Sequence, residues 1–190
     1  DFWVHSVSAA TAAGALLEKG GRRDADDGFI CGLLHDVGKV VLHQYARSRF
    51  TEALRAAESR GILLVEAEQE VFGYTHADVG GILLDGWHIP EHVVEGVRMH
   101  HLAGGAPETQ EDGACLRVPH RQAPTRLASA VHAGDVFVRA LLMGSGGDNR
   151  IPRLSHAAME KLGISPETVP ATLKTVSEKM SRIQGFLEIL

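Results

Sequence analysis

The sequence predicts an all-α fold, a helical bundle in a single domain over 1–190. Apolar residues recur at intervals of three and four through most of the chain, as amphipathic helices require. No segment shows the sustained alternation of apolar and polar residues that predicts a strand. A chain of 190 residues is also long enough for one domain with a sizeable core. The predicted helices are, in order, 2–19, 24–36 with a continuation to Tyr45, 47–59, 64–72, 76–86, 90–102, 125–143, 155–162 and 166–188.

Local signals place the ends of these helices. Many alanines favour the first helix, and Gly20 and Gly21 end it. The acidic residues in 24–27 suit the positive end of the second helix dipole. Thr75 is predicted to cap the N-terminus of its helix, and Pro90 suits the first turn of the next one.

Glycines and prolines interrupt the second half of the chain. Residues 103–124 are rich in both and are predicted to form a long loop, which in a compact domain is either functional or mobile. The final helix, 166–188, carries a narrow apolar seam that needs an apolar partner. We expect it to pack on the domain's own core, with docking to a second copy or a downstream segment as the alternative. The seam consists of Leu173, Val176, Met180, Ile183, Leu187 and Leu190.

Composition excludes several classes of protein. A formal net charge of -5 and a pI of about 6.1 force no basic face, so nothing indicates nucleic-acid binding. No run of 18 apolar residues predicts a membrane span, and 1–20 do not resemble a signal peptide. Only two cysteines occur, Cys31 and Cys115, and Cys31 lies in an apolar run that predicts a buried, reduced thiol. A reducing cytoplasm fits this composition best.

Segment 30–42 carries the most informative chemistry. His35 and Asp36 are adjacent polar residues in an otherwise apolar run, and burying a carboxylate is costly unless it is paired or binds a metal. Neighbouring helical side chains point about 100° apart, so these two converge most easily near a helix end. Gly38 offers a place for the helix to bend or stop. An imidazole beside a carboxylate is a natural ligand pair for a borderline or hard cation.

This segment, which contains GLLHDVGK, resembles the signature of the HD superfamily of metal-dependent phosphohydrolases. Further motifs in the family's order make the set most similar to the HDOD branch (HD-related output domains), a bacterial signalling module. The resemblance runs from Phe2 to about Gly147. It implies an HD-like helical bundle with an additional N-terminal helical half upstream of Phe2, and we expect this chain to lack that half. The motifs are Phe2-Trp3-x-His5-Ser6; Glu70, Gly73, His76 and Gly80; Trp87-x-Ile89-Pro90; and His100-His101.

The resemblance also implies a metal site. In the family, the first His, the His-Asp pair and the last Asp hold one ion, and the intervening histidines add a second ion where there are two. Small residues such as Ala9, Gly80 and Gly134 lie near the candidates and would let helices pack tightly around an ion. The positions that match the ligand pattern are His5, His35, Asp36, His76, His100 and Asp135, with His101 as a seventh candidate.

Each candidate ligand also has a structural alternative. A lone histidine on an apolar helix is usually a hydrogen-bonded core residue. His76 could contact backbone in its first turn, and one of His100 and His101 could be solvated. Asp135 could pair with His132 on the same helix face. The histidines that match no motif are predicted to be surface or structural residues: His43, His88, His92, His120, His132 and His156.

Two other motif residues carry charge. In catalytic relatives a lysine at the position of Lys39 helps hold a phosphate; the alternative is a solvated stem packed over Val37 and Val40. Glu70 belongs to the family pattern, and its role could be structural, such as a pair with an arginine. If the protein is an enzyme, Asp36 and Lys39 are the predicted catalytic residues. Asp36 would then bridge two ions that clamp a phosphodiester and lower the pKa of a water.

The leading functional prediction is a signalling output domain that acts through protein contacts. The HD-GYP branch, which hydrolyses cyclic di-GMP, has an acidic residue after its histidine pair and then Gly-Tyr-Pro, whereas Leu102 and an Ala-Gly-Gly-Ala-Pro segment follow here. The expected cofactor is one or two divalent ions, Fe, Mn, Ni or Zn. The expected partner is a signalling protein or an upstream sensor domain, with a homodimer as a further option. The alternatives are an active HD phosphohydrolase on a nucleotide or phosphodiester, and a helical scaffold without an ion.

Overall fold

The computed structural model describes residues 1–101 and 124–187, and every regular element within these ranges is helical. The prediction of an all-α fold is therefore confirmed. No helix in the described ranges is long and apolar enough to cross a membrane. The helices are α1 Phe2–Leu17, α2 Arg22–Leu34, α3 Val37–Tyr45, α4 Arg47–Arg60, α5 Leu64–Phe72, α6 His76–Gly86, α7 Glu91–Arg98, α8 Arg126–Ala140, α9 His156–Leu162 and α10 Val169–Leu187.

Helix ends follow the predicted chemistry at several positions. Gly61 and Gly73 end α4 and α5 in the left-handed conformation, with φ of 65° and 77°, which glycine adopts without a steric penalty. Thr75 caps α6, since its side chain accepts a hydrogen bond from the backbone N–H of Asp78. These caps fix where α6, and therefore His76, begins.

The break between α2 and α3 falls at His35 and Asp36, so the prediction that Gly38 bends or stops the helix is wrong. Glycine is needed at 38 for a different reason. A Cβ at that position would lie 1.9 Å from the carbonyl oxygen of His76, so only glycine lets α3 approach α6 this closely. Because His35 and Asp36 lie in this break, their side chains are not held about 100° apart, as they would be inside one continuous helix.

Helix α1 packs against α2, α8 and α10, and it does so through small residues. A Cβ on Gly32 of α2 would lie 2.7 Å from the Cα of Ala10, and one on Gly134 of α8 would lie 3.1 Å from the backbone nitrogen of Ala13. The expectation that small residues permit tight packing near the candidate ligands is correct for these helices.

Three buried apolar clusters surround this arrangement. One joins α2, α6, α7 and α8, and another joins α3, α4 and α5. In the third, α10 packs on α1 and α8 through Val176 and Met180, with Leu173 and Ile183 partly buried against the same cluster. These four residues of the α10 seam thus lie on the domain's own core, as expected; the side chain of Leu187 and all of Leu190 are outside the described part of the chain.

Several predicted helices begin or end elsewhere; helix α8, for example, ends at Ala140 and not at 143. Helix α7 ends at Arg98, so His100 and His101 lie in the turn that follows and not on the helix predicted over 90–102. Helix α10 begins at Val169, because Ser165 and Thr168 form a hydrogen-bonded turn before it. The loop predicted over 103–124 lies, except for its last residue, outside the described ranges.

Candidate metal centre

The structure brings together all seven residues predicted as ligands. They come from α1, the break between α2 and α3, the start of α6, the turn after α7, and α8. His5 Nε2 lies 3.1 Å from Asp135 Oδ1, and His76 Nε2 lies 3.2 Å from Asp36 Oδ1. Six of the seven are buried; only His101 is half-buried. Their action as ligands remains a prediction, but their convergence is a property of the fold.

Two groups of three residues within the cluster could each hold an ion, and Asp135 lies beside the first of them, next to His5. His5, His35 and Asp36 offer three ligand atoms within 4.8 Å of one another, and His76, His100 and His101 offer three more within the same distance. Asp36 lies between the groups, since its Oδ1 faces His76 while its Oδ2 lies 3.4 Å from His35 Nε2. Imidazole and carboxylate donors of this kind suit borderline transition metals.

Hydrogen bonds at the outer ring nitrogens leave the inner nitrogens free. His35 Nδ1 lies 2.7 Å from the carbonyl oxygen of Gly32, and His100 Nδ1 lies 2.6 Å from that of Val97. A carbonyl only accepts hydrogen bonds, so each Nδ1 carries the proton and donates it. Each Nε2 is then unprotonated in the neutral ring and presents a lone pair to the centre of the cluster.

Glu68 orients His76 in the same way. Its Oε2 accepts hydrogen bonds from the backbone N–H of His76 at 2.9 Å and from His76 Nδ1 at 2.5 Å. Such a carboxylate behind a histidine fixes the ring and raises its basicity toward a metal. The family motif includes Glu70, whereas nothing in the sequence marked Glu68 as a functional residue. Glu70 is exposed and pairs with Arg60, the structural role that was its alternative.

Buried polar atoms without hydrogen bonds support the fit of a cation. Among the described residues, such atoms include both ring nitrogens of His5, Nε2 of His35 and of His100, and Oδ1 of Asp36. His5 Nε2 is near Asp135, but the two are not aligned as a hydrogen bond. Leaving a buried acceptor unsatisfied costs about 1–3 kcal/mol. A bound ion would satisfy several of these atoms at once, so the residues present fit a metal.

Lys39 is buried, so the expectation of a solvated stem is wrong. Its Nζ donates hydrogen bonds to Asp36 Oδ2 at 2.7 Å and to the carbonyl oxygen of Gly146 at 2.6 Å. A buried ammonium needs such partners because its desolvation is costly. The contact with Asp36 places Lys39 beside the candidate centre.

Arg139 pairs with Asp135, so the pair with His132, which was the structural alternative for Asp135, is not formed. Arg139 Nε lies 2.9 and 3.1 Å from the two carboxylate oxygens of Asp135, four residues away on α8. Arg139 Nη1 also donates to Asp148 Oδ1 at 2.8 Å. The spacing of Asp135 and Arg139 was visible in the sequence as a helical i, i+4 pair, whereas the role of Asp148 had no local signal.

His132 is a structural residue. Its Nδ1 donates to the carbonyl oxygen of His100 at 3.1 Å, and its Nε2 accepts from the backbone N–H of Ser155 at 3.2 Å. Both ring nitrogens are therefore occupied away from the cluster. The other unmatched histidines that the structure describes are exposed, as predicted, and His120 lies outside the described ranges; the exposed ones are His43, His88, His92 and His156.

Burial and neighbouring charge set the protonation of the cluster. Burial lowers the pKa of His35 to about 4 and holds the pKa values of His100 and His101 well below their usual range. Burial would raise the pKa of Asp36, but His35 and Lys39 outweigh it and hold this pKa well below the usual range. Arg139 has the same effect on the pKa of Asp135. At neutral pH the cluster therefore contains ionised carboxylates at Asp36 and Asp135 beside neutral imidazoles at His35, His100 and His101. This is the protonation state in which such groups bind metal ions.

Comparison with known families agrees with this arrangement. The model of the HDOD domain family matches residues 1–103, which is more than half of the chain. The chain belongs to the HDOD domain family. An uncharacterized protein of Treponema pallidum (strain Nichols) is 32% identical over 82 residues, which cover 43% of this chain and 16% of that protein.

Solved structures share the HDOD fold at low identity. An HDOD domain protein of Geobacter sulfurreducens has a TM-score of 0.67 and 21% identity over 97% of this chain and 59% of its own. A candidate signal transduction protein of Marinobacter aquaeolei VT8 has a TM-score of 0.72 and 22% identity, and the match covers 99% of this chain and 38% of that protein. A candidate phosphohydrolase of Shewanella amazonensis SB2B has a TM-score of 0.60 and 18% identity, and the match covers 94% of this chain and 63% of that protein. This chain therefore spans less than two thirds of each of these proteins.

Proposed function

We propose that this HDOD domain is a signalling output module that acts through protein contacts and contains a buried metal site. The observation that carries the proposal is the burial of six of the seven candidate ligands, with His101 half-buried. His5 and His35 are 0% exposed, Asp36 and His76 are 1% exposed, and Asp135 is 3% exposed. Structural metal sites are closed by protein ligands, whereas catalytic sites keep a position open for water or substrate.

The two cations beside the centre support the same proposal. Lys39 and Arg139 are the buried cations nearest to it, and each is paired with one of its carboxylates. A phosphate-binding lysine must present its ammonium to the substrate, but the Lys39 ammonium is bound to Asp36 and to a backbone carbonyl. Within the described residues, these contacts leave neither cation directed at an open cleft.

The residues that would hold an ion are the two groups around Asp36. When bound, a divalent ion would supply positive charge to the carboxylates and to the unprotonated imidazole nitrogens. Glu68 and the backbone carbonyls of Gly32 and Val97 would keep the rings in the orientation that binds it. The donor set suits Fe, Mn, Ni or Zn.

A second function, phosphohydrolase activity, has one observation in its favour. The carboxylate of Asp36 belongs to one group of three donors, and its Oδ1 lies 3.2 Å from His76 Nε2 of the other group, as a residue that bridges two ions would. Two-metal sites activate water and clamp phosphoryl groups. One fold neighbour is itself a candidate phosphohydrolase, and another is a candidate signal transduction protein, so the neighbours favour neither function.

Metal analysis followed by a hydrolysis assay separates these functions. Elemental analysis of the purified chain is expected to find about one or two equivalents of a transition metal. The metal-loaded protein is then incubated with bis(p-nitrophenyl) phosphate and excess Mn²⁺. Bound metal without release of p-nitrophenol supports the output module, whereas turnover above that of Asp36→Asn would establish the phosphohydrolase. A chain that takes up no metal would leave only the scaffold.

A further inference from the structure

Residues 144–150, the segment Gly-Ser-Gly-Gly-Asp-Asn-Arg after α8, contact both sides of the metal centre. On one side, the Lys39 ammonium links Asp36 Oδ2 to the carbonyl oxygen of Gly146. On the other side, the Arg139 guanidinium links Asp135 to Asp148 Oδ1. Arg139 Nη1 also donates to the carbonyl oxygen of Arg150. Each of the two carboxylates in the centre is therefore connected to this segment through one buried cation.

The same segment holds the start of α5. Asp148 Oδ2 accepts a hydrogen bond from the backbone N–H of Leu64, the first residue of α5, at 2.9 Å. One turn later, α5 presents Glu68, which orients His76. Asp148 thus sits between Arg139, which holds Asp135, and the helix that positions His76.

The segment also lies against the helix that carries His5. Gly144 has a φ of +72°, and a Cβ at that position would lie 2.4 Å from the backbone nitrogen of His5. A side chain at 144 would therefore push the segment away from α1. Together with the contacts of Lys39, Arg139 and Asp148, this packing connects the segment to ligands in both donor groups.

From this geometry we infer that residues 144–150 form a relay, in which ion binding at the centre and the local stability of the segment are thermodynamically linked. The inference rests on the proposed metal site. A divalent ion bound by Asp36 and Asp135 would neutralise part of the carboxylate charge, and so weaken the attraction of these carboxylates for Lys39 and Arg139. Arg139 would then bind Asp148 more strongly, and Lys39 would bind the carbonyl oxygen of Gly146 more strongly. Both changes would raise the local stability of the segment.

The position of the segment connects the buried centre to the surface of the domain. Its outer side lines a cleft of about 480 Å³ together with Leu54, Ala57 and Glu58 of α4. Asn149 and Arg150 are exposed, although the centre is buried. The relay therefore joins a buried ion to an accessible surface, which an output domain that works by contact requires. Linkage also runs in reverse, so a change in the segment must change ion affinity.

Hydrogen exchange read by mass spectrometry, with and without saturating Zn²⁺, tests the relay directly in the wild-type chain. The amides of 144–150 and of the first turn of α5 are expected to exchange several-fold more slowly with the ion bound. Helix α10 is the internal control, because it reports any general stabilisation by ligand. Slowing that is no greater at 144–150 than in α10 would overturn the relay.

Asp148→Asn tests the reverse direction, because it keeps the size of the side chain and removes its charge without touching a ligand. The variant is expected to bind Zn²⁺ about 10-fold more weakly in a competition titration with a chromogenic chelator. Asp85→Asn, at an exposed position on α6, is the matched control and is expected to bind Zn²⁺ as the wild type does.

Wild-type affinity in a folded Asp148→Asn refutes the relay while leaving the metal site intact. A wild-type chain that binds no ion refutes the relay and the metal site together. The exchange experiment needs no variant, so it decides the relay even if Asp148→Asn does not fold.

Discussion

Glu68 Oε2 accepts hydrogen bonds from both the backbone N–H and the Nδ1–H of His76, although the two residues lie on different helices. Glu68 is 0% exposed, and its carboxylate outweighs the effect of burial on His76, whose pKa is raised. One carboxylate therefore fixes where α6 begins relative to α5, which ring nitrogen of His76 is protonated, and how basic the other nitrogen is.

Glu68→Gln is expected to weaken metal binding by about 10–100-fold, the usual cost of losing a carboxylate behind a histidine ligand. The glutamine keeps the volume and one hydrogen bond, so the fold is expected to persist. Glu70→Gln is the matched control, because Glu70 is two residues away on the same helix but exposed. A chelator competition titration measures both. Equal losses in the two variants would show that Glu68 has no specific role.

Asp36→Asn is expected to abolish stoichiometric metal binding, because Asp36 belongs to one donor group and faces His76 of the other. Asparagine preserves the shape but not the charge, and it leaves the Lys39 ammonium buried beside a neutral partner. We therefore also expect a lower melting temperature. Elemental analysis after gel filtration measures the metal content, with Asp85→Asn as the control. Unchanged metal in a folded Asp36→Asn would remove Asp36 from the ligand set.

The sequence predicted the convergence of the candidate ligands better than the contacts that hold them in place. His5, His35, Asp36 and Asp135 belong to an ordered motif set, so their convergence could be expected before the fold was known. Small residues along α1, α2 and α8 also indicated close helix packing. Helix ends could be predicted where a cap or glycine marks them, as at Thr75 and Gly61.

The residues that support the ligands gave weaker signals. Glu68 resembles any acidic residue on an amphipathic helix, and only the tertiary packing of α5 against the start of α6 brings it to His76. Asp148 lies in a glycine-rich segment that predicts only a break. Lys39 was expected to bind phosphate or to lie in solvent, but the carbonyl of Gly146, 107 residues away, completes its burial. Such long-range partners leave no periodic pattern in the sequence.

Cyclic di-GMP hydrolysis is expected to be absent or very weak. Leu102 stands where the hydrolysing branch has an acidic residue, and the Gly-Tyr-Pro segment is missing; these positions lie outside the described residues, so this prediction rests on the sequence. The burial of His35, Asp36 and Asp135 leads to the same expectation. Chromatography of the reaction with added Mn²⁺ or Fe²⁺ measures the linear product. Production of the linear dinucleotide well above the Asp36→Asn background would make the enzyme the leading interpretation.

The metal-free protein is expected to lose stability as pH falls from 7 to 5. Burial lowers the pKa of His35 to about 4, below the value of about 6.5 expected in the unfolded chain. Between these values the unfolded state binds the extra proton, so the free energy of unfolding falls as pH falls. His35 alone contributes about 2 kcal/mol of this loss between pH 7 and 5. Urea titrations in the presence of a chelator measure the slope. His35→Gln is expected to reduce it by the share of His35, while the lowered pKa values of His100 and His101 keep a slope of the same sign. A raised His76 pKa acts in the opposite sense, so a wild-type slope of zero or of opposite sign would show that His35 does not dominate.

Ile183→Asp is expected to lower the melting temperature without changing the molecular mass. Ile183 packs against the cluster that joins α10 to α1 and α8, next to Val176 and Met180, which are 1% and 3% exposed. Placing a carboxylate there removes apolar contact and partly buries a charge, at a cost of about 2 kcal/mol, or roughly 4–8 °C in a domain of this size. Ser181→Asp adds the same charge at an exposed position two residues away and is the control.

Thermal melting and light scattering separate the outcomes. A folded monomer formed from a wild-type dimer would show that the α10 seam also serves a second copy, and an unchanged melting temperature would contradict the packing of Ile183 on this core.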